Sequence, residues 1–196
     1  MRIVLQRVAR ASVTVDGTVV GQIDRGLLCL LGFCVEDSDP QRNAEALSWL
    51  VNKVLNARLW PADGKQWAGS CKSLGYPVLL VSQFTLHGSL TKPKPSFHRS
   101  LGTAAATALW ADAVRAFTAA HGAERIQTGV FGAMMQVDLC NDGPVTLCVD
   151  TANRDDQLWE GGGKARAPQA LDGAAAAELG GGGGGGGGGA PPAAEE

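Results

Sequence analysis

Two short segments carry the side chains whose types and spacing best suit chemistry: Ser82-Gln83-Phe84-Thr85-Leu86 and Asn141-Asp142-Gly143-Pro144-Val145-Thr146. The first sets hydroxyl and amide groups at the end of an apolar run, Val78-Leu79-Leu80-Val81, where core packing alone does not require them. Thr85 admits three roles: nucleophile, oxyanion-stabilising group, or β-branched strand residue with no chemistry. A nucleophilic threonine needs a base beside it. His87, two residues on, would share a face with Thr85 if the strand continued, but Gly88 follows at once and a lone loop histidine ordinarily faces solvent. The second segment reads as a turn: asparagine and aspartate suit turn chemistry, and proline fixes its own φ and has no N–H. Neither segment holds an obvious nucleophile–base pair, which points to chemistry done by backbone groups or by the substrate.

Other candidates are weaker. Lys92, Lys94 and Arg99 around Phe97 could grip phosphate while the ring stacks on a base, although a solvated loop is the commoner explanation. Met134-Met135 reads as core. The five cysteines (Cys29, Cys34, Cys71, Cys140, Cys148) form no CxxC pair, and there are three histidines. The usual zinc ligand clusters are therefore lacking. The expectation is reduced, buried thiols in a cytoplasmic protein, with no metal and no cofactor. The opening Met1-Arg2-Ile3-Val4-Leu5-Gln6-Arg7 has charges too early for a signal peptide, and no segment approaches a membrane span.

The elements that must position these groups follow from pattern. Strands are predicted at residues 2–8 and 11–15, with Asp16-Gly17 as a hairpin turn before Thr18-Val19-Val20. Residues 27–34 form an apolar run broken at Gly32, as in a strand buried on both faces. Asp39-Pro40 supplies an N-cap and a first-turn proline, and the spacing of Ala44, Leu47, Leu50, Val51, Val54 and Leu55 predicts a helix over 40–56. A short strand at 58–60, a turn at 61–64, a strand at 78–84 and a loop at 87–95 come next. An alanine-rich helix over 103–120 should stop at Gly122, and strands at 134–140 and 145–150 close the domain. With hairpins at both ends, the expected fold is α/β (α+β): one domain, a mixed, mainly antiparallel curled sheet and two main helices.

Composition sets the boundary. Residues 153–196 are rich in glycine and alanine, including an unbroken glycine tract over 180–189, and predict a disordered tail after a folded domain of residues 1–152. The whole chain carries 17 basic and 19 acidic residues. The tail holds seven of the acids and three of the bases, so the domain has fourteen bases against twelve acids. Mild basicity permits a polyanion ligand without requiring one.

Taken in order, Gln6-Arg7-Val8, Ala11-Ser12-Val13-Thr14-Val15, Gly26-Leu27-Leu28, the segment from Ser82, Pro95-Ser96-Phe97, and Met135-Gln136-Val137 running into the segment from Asn141 resemble the D-aminoacyl-tRNA deacylase family, also called D-tyrosyl-tRNA deacylase. The resemblance covers residues 1 to about 150 and leaves out the tail. It implies hydrolysis of the ester of D-aminoacyl-tRNA and of glycyl-tRNA, a homodimer, and an active site at the subunit interface. The backbone around Phe84 and Thr85 would hold the reacting carbonyl, with Ser82 and Gln83 shaping the pocket. Phe131 and Met135 would contact the terminal adenosine. The Gly143-Pro144 peptide would be cis, its carbonyls rejecting L-aminoacyl groups, and Arg7 would brace it. An RNA hydroxyl, rather than a threonine nucleophile, would assist hydrolysis. Departures from the family pattern are Lys94 in place of an arginine, Pro93 before it, and a loop about one residue shorter; Leu139 favours the standard branch of the family. The other reading is a non-catalytic tRNA- or RNA-binding module on the same fold.

Overall fold

The computed structural model describes residues 1–153. In chain order these form β1 (Arg2–Val15), β2 (Thr18–Ile23), β3 (Gly26–Gly32), α1 (Pro40–Asn56), β4 (Arg58–Ala62), β5 (Lys65–Ser70), α2 (Cys71–Leu74), β6 (Val78–Ser82), α3 (Thr103–His121), β7 (Ile126–Thr128) and β8 (Gln136–Asp150). Single 3₁₀ turns lie at Val35–Ser38, Phe84–His87, Ala123–Arg125 and Thr151–Asn153. The predicted tail, but for Asn153, lies outside the described residues.

β1 is the spine of the sheet. Along one edge its first half pairs antiparallel with β3 and its second half with β2, while β8 runs antiparallel along the other edge. β6 continues from β3 and β7 from β6, both parallel, so the sheet is mixed. Its ends curl together: a Cβ at Gly21 of β2 would lie 2.5 Å from the Thr128 carbonyl of β7, an approach that needs glycine. The β1–β2 hairpin turns at Asp16 and Gly17, both at positive φ, as a tight two-residue connection requires.

Two cores result. One face of the sheet packs Ile3, Leu5, Leu27, Leu31 and Leu80 against the helices, which contribute Leu50, Val54, Trp110 and Phe117. The other face closes on itself through Val8, Val13, Leu28, Leu79 and Val81. Each of these side chains contributes about 1.5–3 kcal/mol by leaving water. α1 starts where expected, with the Asp39 carboxylate accepting from the N–H groups of Gln41 and Arg42 ahead of Pro40. No helix among the described residues is long and apolar enough to cross a membrane.

Several boundaries differ from expectation. The strands predicted at 2–8 and 11–15 are one strand, as are those at 134–140 and 145–150. Their shared ladder is irregular where the predictions broke: Gln6 faces Thr146 but Val8 faces Asn141, so residues 142–145 loop out opposite Arg7. β6 stops at Ser82, and the polar residues after it coil into a 3₁₀ turn. β5, α2 and β7 were not foreseen.

Candidate active site

β6 delivers the first segment to its position. Ser82 lies opposite Leu31 in the parallel ladder, and the Gln83 N–H donates to the Leu31 carbonyl at 2.8 Å before the chain turns. The turn packs directly on Gly32, where a Cβ would come within 2.5 Å of the Gln83 carbonyl. Glycine at that point in β3 is therefore a requirement of the site, although in sequence it reads only as a break in an apolar run. Phe84 and Thr85 open the 3₁₀ turn, and among the described residues no acceptor engages their N–H groups. Such first-turn donors suit an oxyanion.

Side chains fix the turn. The Gln83 amide donates to the Thr85 hydroxyl oxygen at 2.5 Å, and the Ser100 hydroxyl donates to the Phe84 carbonyl at 2.9 Å. The Phe84 ring, 56% exposed, meets Phe97 edge-on at 5.0 Å. Around them opens a cleft of about 640 Å³ whose walls include Ser82, Gln83, Phe84, Phe97, Phe131 and Met135. Phe131 is backed by Trp110 at 6.2 Å. Met135 is half-buried as a wall residue, but Met134 is 91% exposed and corrects the expectation that the pair is core. Ser100 was not identified from sequence; an isolated serine in a loop carries no pattern.

Thr85 and His87 do not form a pair. His87 is buried, not solvent-facing, with Nε2 3.2 Å from the Gly32 carbonyl, and burial holds its pKa below the ordinary histidine value. The coil after Ser82 separates the faces that a continued strand would have shared. A thiol nucleophile is no better supported. Burial pushes Cys34 up to about 11 and Cys71 up to about 12, so neither is a thiolate near neutral pH. All five cysteines are free, but only Cys29 and Cys71 are buried and Cys148 is exposed, which corrects the expectation of uniformly buried thiols.

The second segment is built on Arg7. Its Nε donates to the Asp142 carbonyl at 2.9 Å and lies 3.5 Å from the Asp142 carboxylate; its Nη1 donates to the Leu59 carbonyl of β4. The guanidinium thus fills the loop-out of residues 142–145. Asn141 closes the same bulge: its Oδ1 accepts from the Val145 N–H and its Nδ2 donates to the Thr146 hydroxyl. The Gly143-Pro144 peptide is cis, with Gly143 at φ +127°. A Cβ at Gly143 would lie 2.9 Å from both Arg7 Nη2 and Val145 Cγ2, so the bracing leaves no room for a side chain.

Gly143 and Pro144 are not walls of the cleft. The chain therefore brings Ser82, Gln83, Phe84, Phe131 and Met135 together in the cleft, ties Thr85, which is not one of its walls, to them through the Gln83 amide, and holds Gly143, Pro144 and Arg7 as a separate, braced unit. Lys92 and Lys94 are exposed in the loop pinned by the Ser89–Ser96 bridge, and Arg99 sits 3.9 Å from Glu36.

Comparison with known proteins gives a consistent picture. A family model described as D-Tyr-tRNA(Tyr) deacylase matches residues 4–150. A D-aminoacyl-tRNA deacylase of Dictyostelium discoideum is 38% identical over 156 residues, covering 79% of this chain and 100% of that protein. The D-aminoacyl-tRNA deacylase 1 of Mus musculus is 42% identical over 148 residues, covering 75% of this chain and 68% of that protein. The solved structure of a c-Myc DNA Unwinding Element Binding Protein superposes with a TM-score of 0.71 at 40% identity, over 76% of this chain and 98% of that one. Another, of a probable eukaryotic D-amino acid tRNA deacylase, has a TM-score of 0.67 at 20% identity over the same shares and speaks to the fold.

Proposed function

Because the chain belongs to the D-Tyr-tRNA(Tyr) deacylase family, we propose that its cleft is where the ester of D-aminoacyl-tRNA is held for hydrolysis. Hydrolysis of D-aminoacyl-tRNA is the activity named for its relatives over nearly the whole domain. The observation that carries the assignment to this cleft is the free pair of N–H donors at Phe84 and Thr85, beside a wall of aromatic and thioether side chains.

The reaction then divides among few groups. The terminal adenosine packs against Phe131 and Met135, and the ester carbonyl meets the Phe84 and Thr85 N–H groups. Charge developing on that oxygen is stabilised by donors already fixed by Gln83 and Ser100. Water attacks, and the neighbouring ribose hydroxyl of the RNA assists the proton transfer. Thr85 tunes the pocket rather than attacking, in keeping with its hydroxyl accepting from the Gln83 amide and with the absence of a base paired to it among the described residues. Lys92, Lys94 and Arg99 face the RNA backbone. Lys94 offers charge without the planar fork an arginine would bring.

A second copy of the chain completes the site. Within one chain Gly143 and Pro144 stand outside the cleft, while β8 leaves its outer edge unpaired among the described residues and exposes Leu139 and Leu147. Paired copies would bring the carbonyls of one braced turn to the cleft of the other. A fixed carbonyl wall rejects an L-side chain by clash and unpaired polarity. Glycine, lacking a side chain, passes it. The setting is the cytoplasm, where charged tRNA is used.

The test is deacylation of D-tyrosyl-tRNA against L-tyrosyl-tRNA by the purified full chain. Turnover of the D-ester alone is expected. Losing one oxyanion donor costs about 100- to 1000-fold, so Thr85→Ala, which keeps both N–H groups, should slow the reaction less than that. Tight tRNA binding without turnover would favour the non-catalytic nucleic-acid module, a reading in keeping with the DNA binding named for the 40%-identical solved protein. A trappable acyl-threonine would restore Thr85 as nucleophile.

A further inference from the structure

The 3₁₀ turn that carries the N–H donors ends at His87, and what lies behind it has no part in the mechanism above. The Cys34 sulfur, an Asp37 carboxylate oxygen and a His87 ring nitrogen all lie within 4.8 Å of one another. They are 3 and 50 residues apart in sequence, which is why spacing alone shows no ligand motif. Each is positioned by its backbone. Cys34 caps the 3₁₀ turn Val35–Ser38 and Asp37 lies within it, with the Cys34 N–H donating to Asp37 Oδ2 at 2.8 Å and the thiol 3.2 Å from the same oxygen. His87 is held by the Gly32 carbonyl. A carbonyl only accepts, so Nε2 carries the proton and Nδ1 keeps the lone pair, the arrangement by which backbone carbonyls orient histidine ligands.

From this constellation we infer that Cys34, Asp37 and His87 form a site for a zinc-class divalent cation that fastens the back of the catalytic turn to the turn Val35–Ser38. One thiolate, one imidazole and one carboxylate are the donor mix that suits zinc, and calcium or magnesium would avoid the sulfur. Asp37 and His87 are buried and Cys34 is half-buried, so the cation would be shielded on one side and reached from the other. The exposed carboxylate of Glu36, two residues from Cys34, is at hand for the fourth position. Asp37 Oδ1 pairs with the N-terminal ammonium at 2.9 Å and Glu36 lies 3.9 Å from Arg99, so the Cys34 thiolate is the ligand charge left to offset part of the dication. On binding, the Cys34 S–H bond breaks, sulfur keeps the electron pair and donates it to the metal, and the proton passes to solvent. None of the three ligands is a wall of the cleft, so the ion would stiffen the turn without touching substrate.

Cobalt(II) reports on this directly, because a cysteine thiolate bound to it gives a near-ultraviolet charge-transfer band. The full chain, reduced and stripped with chelator, should take up about one cobalt ion with that band, and zinc should displace it. Cys34→Ser should abolish the band. His87→Ala should weaken zinc binding by about tenfold or more. The double variant Cys140→Ser/Cys148→Ser should keep the band. Zinc should raise the melting temperature of the wild type but not of Cys34→Ser, with far-ultraviolet circular dichroism showing that the variants fold. Absence of the band in the wild type, or its survival in Cys34→Ser, would overturn the assignment and leave Asp37 as a cap of its own turn.

Discussion

Arg7 is the residue on which the Gly143-Pro144 bulge depends. Its guanidinium joins the Asp142 carbonyl and carboxylate to the Leu59 carbonyl, so one planar fork ties β8 to β4 across β1. A hydrogen bond from a charged group contributes about 1.5–3 kcal/mol, and removing the fork leaves two backbone carbonyls in a half-buried setting without their donor. Arg7→Ala should therefore cost about 2–4 kcal/mol in urea unfolding. It should also narrow the difference between D- and L-tyrosyl-tRNA hydrolysis, since the carbonyls of the bulge lose their fixed direction. Arg7→Lys keeps the charge but not the fork, and should recover stability more than selectivity. A selectivity ratio untouched in both variants would separate Arg7 from discrimination.

At the scale of elements, β1 and β8 are closed at one end by a clip. Arg2 donates through Nε and Nη2 to Asp150 Oδ2, at 3.0 and 2.9 Å, and through Nη1 to the Leu86 carbonyl of the 3₁₀ turn Phe84–His87. Burial alone would raise the pKa of Asp150, but the Ala152 N–H and Arg2 outweigh it and hold the carboxyl below its ordinary value. A depressed folded pKa means stability that is present above the ordinary carboxylate range and lost as pH falls through it, below about pH 4. Melting temperature should fall across that window in the wild type and less steeply in Asp150→Asn, which starts lower. Equal slopes would show that the clip does not govern acid stability. Much of this layer was legible in the sequence. Pro40 to Asn56 reads as a helix from its cap and its apolar stripe, and Gly26 to Gly32 reads as a doubly buried strand. β5, with the exposed Lys65, Gln66 and Trp67, has no alternation to betray it, and three-residue β7 is too short to show a period. The site was legible as motifs, but not as geometry. Gly32, Ser100 and the His87 ring act through contacts over 16 to 55 residues, which no local pattern records.

For the whole molecule, the two cores draw their buried side chains from between Met1 and Ile126, with Val145 and Val149 packed against the first. A chain ending at residue 153 should therefore unfold within about 1 kcal/mol of the full chain and deacylate D-tyrosyl-tRNA at the same rate; a large loss of either would move the domain boundary into the tail. The same topology governs how the protein comes into being. β1 is made first and β8 last, yet Arg2 sits opposite Asp150 in their ladder. During synthesis the spine strand can take β2 and β3 on one edge early, while its other edge stays open until almost the entire domain has emerged. The nascent chain thus carries an unpaired strand edge for most of its assembly, the condition that invites wrong partners. The last element to arrive is the one that bears the Gly143-Pro144 bulge, so the turn proposed to discriminate forms only on a chain whose Phe84–His87 turn has already been made.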